Sequence, residues 1–308
     1  MELSKRLSTL LALAALTLTG LAGDATAQAP TAAQPPAKTT KVVFVTGDDE
    51  YASELSMPMM ALILANHHGM TPFVLYAVND KDERDPHGQS IPGLHLLRDA
   101  DVAVFFMRWR ALPEDQLDEI IKYAESGKPM IGIRTTSHAF KYDGPPGDKW
   151  NAEFAERWFG QSWIEHYGHN NSTLARVVDE QADHPILRGV DDEFWAHSWL
   201  YVQNKGDDKL ANDVTVLMEG DAILGSEPGG EKFGNAEPLA WTREIKLDDG
   251  GTQRTFYTSL GHPRDFENED VRKLLVNAIY WSLGREEDIP EDGAKVDVIG
   301  EYTPPDPK

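Results

Sequence analysis

The sequence predicts an α/β fold, a mostly parallel sheet with helices on both faces, on three observations. Strand-like and helix-like segments alternate along the chain, the pattern of a sheet wound with helices. The runs "KVVFVT", "DVAVFF" and "PMIGI" are short and apolar, as buried strands are. Acidic, basic and imidazole side chains gather just beyond these runs, where an open parallel sheet binds its ligands.

Residues 41 to 46 make the first strand. Ser53 to His68 brings Leu55, Met59, Leu62 and Ile63 to near-helical spacing, and Gly69 closes that helix. "TPFVLYAV" and "DVAVFF" are the second and third strands. Pro113 fits a first helical turn, Glu114 and Asp115 favour a helix N-terminus, and Leu117, Ile120, Ile121 and Ala124 share one face before Gly127. A strand from Met130 to Ile133 then enters the turn Arg134 to His138, where many α/β enzymes hold a nucleophile on a strained elbow. A loop runs from the elbow to residue 174. Further strands are expected at 174 to 178, 214 to 218, 238 to 242 and 254 to 259. Asn268 caps a last helix whose Val271, Leu274, Leu275 and Ala278 face the sheet and which stops at Gly284.

The ends of the chain differ from its middle. Lys5 and Arg6 precede an apolar run from Leu7 to Leu21, and "ATA" at 25 to 27 supplies small residues for cleavage. Residues 1 to 27 therefore read as a secretory signal, which predicts an exported, soluble, periplasmic or extracellular protein. Residues 28 to 40 read as a Pro- and Ala-rich linker, 41 to 285 as one domain, and 286 to 308 as an acidic, Pro-rich tail, with packing expected to end near Gly284. The apolar run is shorter than the ~20 residues that span a bilayer, so no integral membrane segment is expected after cleavage. The chain has no cysteine, which excludes disulfides and a lipid anchor. Its 29 basic and 51 acidic residues give a net charge of −22, which repels nucleic acid and anionic membranes.

The chemistry-bearing residues follow the strands. Asp48, Asp49, Glu50 and Tyr51 come after the first, Arg108, Trp109 and Arg110 after the third, Arg134 and His138 after the fourth, and His262 after the strand "RTFYTSL". The loop beyond the elbow adds Glu165, His166 and His169, with Trp150, Trp158 and Trp163. Histidines in turns beyond strands suit proton transfer, and Trp109 and Trp163 suit stacking on a sugar ring. The acids could equally cap the following helix, and the arginines could pair with them to hold the loops. "HYGH" spaces His166 and His169 for a shared divalent metal such as zinc, with Glu165, His138 or His262 completing the set.

"VTGDDEY", "SMPM", "FFMRWRALP", "GKPMIGIRTTSHAF", "HYGH", "HPIL" and "FYTSLGHPRDF" stand in an order that resembles the trehalose-utilisation (ThuA-like) family, over residues 41 to 284. The resemblance implies a flavodoxin-like, class I glutamine amidotransferase-like fold. Arg134 stands where a glutamine amidotransferase has its cysteine, so thiolate hydrolysis of glutamine is excluded. The first loop also lacks a histidine that many members carry there. Members are linked to oxidised-sugar metabolism, including hydrolysis of 3-keto-glycosides, which implies a small carbohydrate as partner. In that chemistry His138 and His262 are the expected proton carriers, Arg134 anchors Asp49 or Glu50 or steadies an oxyanion, and Arg108, Trp109, Trp163 and Tyr51 contact the substrate. The alternative is a non-catalytic carbohydrate-binding or interaction module of the cell envelope.

Overall fold

The computed structural model describes residues 39–305. The expected signal segment, and the linker up to residue 38, lie outside the described residues.

Thirteen strands and four helices follow one another among these residues. The first half holds β1 (Lys41–Gly47), α1 (Ser53–His68), β2 (Thr71–Leu75), β3 (Val102–Met107), α2 (Glu114–Glu125), β4 (Met130–Ile133) and α3 (Trp150–Phe159). Short strands β5 (Glu165–His166), β8 (Tyr201–Val202), β9 (Asn204–Lys205) and β10 (Asp208–Lys209) are interleaved with β6 (Asn171–Val177) and β7 (Glu193–Ala196). The chain closes with β11 (Val214–Leu224), β12 (Lys232–Lys246), β13 (Thr252–Thr258) and α4 (Glu269–Ser282).

One nine-stranded sheet runs in the order β2, β1, β3, β4, β13, β12, β11, β6, β7. Pairing is parallel from β2 to β13 and antiparallel from β13 to β7. The fold is thus α/β with a large mixed sheet, and its parallel half carries the expected strand–helix alternation. The register Thr258↔Ile133 brings the ends of β13 and β4 together, so the segments that follow them meet above the sheet. Among the described residues no helix is long and apolar enough to cross a membrane.

Two apolar clusters cover the two faces. One joins α1 and α4 to the sheet through Met60, Ile63, Leu64, Leu274 and Ile279. The other joins α2 and α3 through Leu117, Ile120, Phe154 and Trp158. Gly132 in β4 is required by this second layer, because a Cβ there would lie 2.9 Å from Phe159 and 2.9 Å from Tyr257.

Three expectations are corrected. Residues 150 to 159 form α3 and not loop, and Trp150 and Trp158 stack in its core at 5.9 Å. On α1, Leu55 and Leu62 point outward, each 46% exposed, while Met57, Met60 and Leu64 are buried. Apolar residues surround this helix, so spacing alone did not select its inner face. Packing also continues beyond Gly284, since Ile289, Ala294 and Val296 are buried in the α1–α4 cluster. Proline and acidic residues masked three apolar anchors.

Candidate functional site

The elbow after β4 is strained as its position suggests. Arg134 has φ of +43° and opens a 3-10 turn over Arg134–His138, a conformation that costs a non-glycine residue energy and needs surrounding support. Support comes from below. Arg134 is fully buried, donates to the carbonyls of Ser259 (2.7 Å) and Trp199 (3.3 Å), and donates to the Tyr51 hydroxyl at 3.0 Å. Its guanidinium lies over the rings of Tyr51 (4.2 Å) and Tyr201 (4.7 Å). It does not pair with Asp49 or Glu50, which corrects the anchoring expectation. Those acids belong to Arg108 instead, whose Nη1 lies 2.9 Å from Asp49 and whose Nε lies 3.0 Å from Glu50.

Above the elbow is a cavity of about 220 Å³ lined by Glu50, Tyr51, Arg108, Trp109, His138, Trp163, His166, His169 and Tyr201. Eight of these were sequence candidates and Tyr201 was not. Tyr201 follows no strand of the parallel half. It reaches the site through the β5–β8 ladder, where His166 pairs with Tyr201, and a two-residue ladder has no periodicity to read. A larger concavity of about 510 Å³ lies beside Arg176, Asp179 and Asp192, but it lacks aromatic walls and imidazoles.

His138 sits at the centre of the cavity's aromatic side. Its ring lies 5.0 Å from Trp163, 5.7 Å from Trp109 and 6.3 Å from Tyr201. The Trp109 amide donates to the His138 carbonyl (3.0 Å) and the Trp163 amide to the Ser137 carbonyl (3.0 Å), so both walls are tied to the elbow. Ser137 Oγ donates to the Arg134 carbonyl at 3.1 Å. Its contact with His138 Nδ1 at 3.3 Å therefore has Nδ1–H as donor, and Nε2 keeps its lone pair. His166 is the opposite tautomer, because its Nδ1 accepts from the Gly168 amide at 2.9 Å and its Nε2 then carries the proton.

Burial, with the charges of Arg108 and Arg134, pushes His138 down to about 3. His166 is lowered by burial and by its neighbours His169 and Arg134. Both imidazoles are neutral at ordinary pH. Burial alone would raise Asp49, but its hydrogen bond to Arg108 and the charges of Arg108 and Arg110 bring it below the usual carboxylate range. Asp48 lies beneath the loop, fully buried, and desolvation lifts it to about 7 against the hydrogen bonds it accepts from the Tyr51 and Glu50 amides. Burial holds the Tyr201 hydroxyl well above its ordinary value, so it remains a donor.

His262 does not line this cavity. Its Nδ1 accepts from the Arg264 amide (3.1 Å) and caps the turn Pro263–Glu267. Its ring stacks on His197 at 5.2 Å and lies tilted to the Tyr51 ring at 6.4 Å between centroids. Asp265 fixes this corner by accepting from the amides of His197, Ser198, Gly261 and His262. The sequence signal that found His262, a histidine beyond a strand end, does not separate a cap from a cavity wall.

His166 and His169 are neighbours at 5.0 Å between rings, but among the described residues no group of three or more His, Cys, Asp or Glu side chains is placed to hold a metal ion. Glu165 is engaged with Lys205 at 2.7 Å. The donor set among the described residues does not fit the divalent-metal expectation.

A parallel half-sheet with a strained arginine elbow and an aromatic, imidazole-lined cavity beyond its strand ends marks an α/β, flavodoxin-like fold whose elbow carries no thiol. The family described as ThuA, trehalose utilisation, matches residues 79–282, and the chain belongs to that family. Two solved structures share the fold. The chain is similar to a thua-like protein from Parabacteroides merdae (TM-score 0.54, 16% identity, 85% of this chain and 96% of that one covered). It is similar also to one from Bacteroides uniformis (TM-score 0.53, 16% identity, 81% and 95% covered). No curated protein matches it.

Proposed function

We propose that this ThuA-family chain is a carbohydrate-active protein that cleaves 3-keto-glycosides in the cavity above the elbow. The observation that carries the reading is the convergence of three aromatic side chains, Trp109, Trp163 and Tyr201, with two neutral imidazoles and the Arg108 cation in one cavity. Aromatic faces suit the C–H faces of a sugar, and the imidazoles and cation suit proton removal next to a carbonyl.

A keto group at C3 acidifies the proton on C2. His138 Nε2 takes that proton, and the C–H electron pair moves toward the C3 oxygen, where His166 Nε2–H and the Arg108 charge receive it. The pair returns to form the C1=C2 bond as the C1–O bond breaks, and the imidazolium of His138 gives its proton to the leaving oxygen. Water then adds across C1=C2, oxygen to C1 and hydrogen to C2. The net change is hydrolysis without a redox partner. Burial and the two arginines make His138 by itself a weak base. The enolate's negative charge offsets that repulsion, which ties proton transfer to a correctly seated keto sugar.

Methyl 3-dehydro-α-D-glucopyranoside and its unoxidised parent provide the test. The proposal expects methanol release from the keto sugar alone, with an acid limb well below pH 6.5 because His138 and His166 are both lowered. Equal release from both sugars would overturn the keto chemistry, and saturable binding without release would favour the binding module. Export is a separate part of the proposal, motivated by Lys5, Arg6 and the "ATA" exit. Intact mass of the native protein should show loss of the first ~27 residues.

A further inference from the structure

We propose that Trp195, His197 and Trp199 form a glycan-binding track that leads out of the cavity along the open edge of the sheet, so that the ligand is an oligosaccharide with one unit in the cavity and its next units on these rings. This rests on the carbohydrate reading above and adds the substrate class.

The tryptophans give the first observation. The chain has eight. Trp150, Trp158, Trp241 and Trp281 belong to the two apolar clusters, and Trp109 and Trp163 line the cavity. Trp195 and Trp199 belong to neither group. They stand in "EFWAHSWL", residues 193 to 200, where Phe194, Ala196, Ser198 and Leu200 are buried while Trp195, His197 and Trp199 keep part of their surface in solvent. The alternation runs through β7 and past its end, as in a strand with one face on the core and the other open. β7 is the last strand of the sheet, so no further strand of the described residues flanks the row. Aromatic side chains left in a row on an open edge mark a surface that binds.

Position says what it binds. The Trp199 ring lies 6.4 Å from Tyr51, 5.3 Å from His166 and 4.4 Å from His169 between centroids, and all three line the cavity. His197 lies 4.3 Å from Trp195 and stacks on His262, which in turn lies 6.4 Å from Tyr51. Ring contacts thus join the whole row to the cavity wall. Sugar units attached to a ring in the cavity would pass over it, offering their apolar C–H faces to the aromatic side chains. Nucleic-acid bases would suit such rings equally, but the net charge of −22 repels their phosphates.

The row is also held still. The His197 and Ser198 amides donate to Asp265 (2.7 and 3.2 Å), Thr173 Oγ1 donates to the Ser198 carbonyl (2.7 Å), Arg134 donates to the Trp199 carbonyl, and Trp195 Nε1 donates to Ser172 Oγ (2.9 Å). Rings fixed in advance lose little conformational entropy when a ligand arrives.

Isothermal titration calorimetry tests the track with two pairs of sugars, methyl α-D-glucopyranoside with maltotetraose and methyl β-D-glucopyranoside with cellotetraose. In at least one pair the tetrasaccharide is expected to bind at least ~10-fold more tightly than the methyl glucoside. Trp199→Ala and Trp195→Ala should each lower that ratio by about 3- to 10-fold, whereas damage to the fold would weaken both sugars alike. No gain with length in either pair, no binding of any of these sugars, or a ratio unchanged in either variant would overturn the track. So would a dimer in solution that Trp195→Ala splits, because a second copy would then cover the row. Length-dependent binding without methanol release from methyl 3-dehydro-α-D-glucopyranoside would keep the track and remove the keto chemistry, and release from that sugar with no gain for either tetrasaccharide would do the reverse.

Discussion

Asp48 and Arg134 are buried charges of opposite sign beneath the cavity, and their surroundings treat them differently. Asp48 is raised from 3.8 to about 7 by desolvation. Below pH 4 it is protonated in the folded and unfolded chain alike, whereas between 4 and 7 the folded chain holds a proton that the unfolded chain has released. Stability from this group is therefore full at acid pH and lost as pH rises through 7, by about 4 kcal/mol. Denaturant unfolding of Asp48→Asn from pH 3 to 8 should lack that loss, and parallel curves for variant and wild type would contradict the assignment. His138 works in the other direction, since its lowered value removes stability as pH falls from 6.5 toward 3. Arg134 satisfies two carbonyls and the Tyr51 hydroxyl. Arg134→Met leaves these buried groups unpaired, and a loss of about 3 kcal/mol or more is expected in equilibrium unfolding. A loss under 1 kcal/mol would show that the elbow does not depend on it.

At the scale of elements, the layer of α3 on β4 and β13 depends on the absence of a side chain at Gly132, where Phe159 and Tyr257 close over the strand. Gly132→Val should destabilise the chain by roughly 1–3 kcal/mol through overpacking, and a variant as stable as the wild type would show that the two rings can move aside. The elements legible in the sequence were those with unmixed signals. β1, β3 and β4 are apolar runs, α2 has one apolar face, and α4 has an asparagine cap that accepts from the Asp270 amide. α3 was missed because "WNAEFAERWF" carries its helical spacing without a capping side chain at its start. The antiparallel strands β11 and β12 run far beyond their expected cores, reaching 11 and 15 residues, because alternating exposed positions hide the ends of a strand open to solvent on one face. The cavity was legible to the extent that its residues follow parallel strands. Tyr201 was not, because tertiary pairing of β5 with β8 brings it there, and His262 was misplaced because a capping histidine and a ligand-facing one share the same local pattern.

On the scale of the whole molecule, the chain beyond α4 completes a core and is not a solvated tail. Ile289, Ala294 and Val296 are buried, Arg188 donates to the carbonyls of Glu286 and Ile289, and Arg272 donates to the Val296 carbonyl. Ending the chain at Arg285 removes two large apolar anchors and several hydrogen bonds, which predicts a loss of about 4 kcal/mol or more. A truncated chain melting within 2 °C of the full one would contradict that packing. The same assembly places the cavity. β4 and β13 end side by side, the segments after β1 and β3 join them, and the separate two-stranded ladder of β5 and β8 brings His166 and Tyr201 to the same cavity.

The central claim is that chemistry occurs in the cavity beside His138 and not at the neighbouring His262 corner. Its most direct test is kcat/KM on methyl 3-dehydro-α-D-glucopyranoside for His138→Ala and His262→Ala, each with its melting temperature. The account predicts a loss of about 10²-fold or more for His138→Ala with little change in melting. For His262→Ala it predicts activity within about threefold of wild type and a loss of about 1 kcal/mol from the missing cap. Full activity in His138→Ala, or a collapse of activity in His262→Ala with its stability intact, would contradict it.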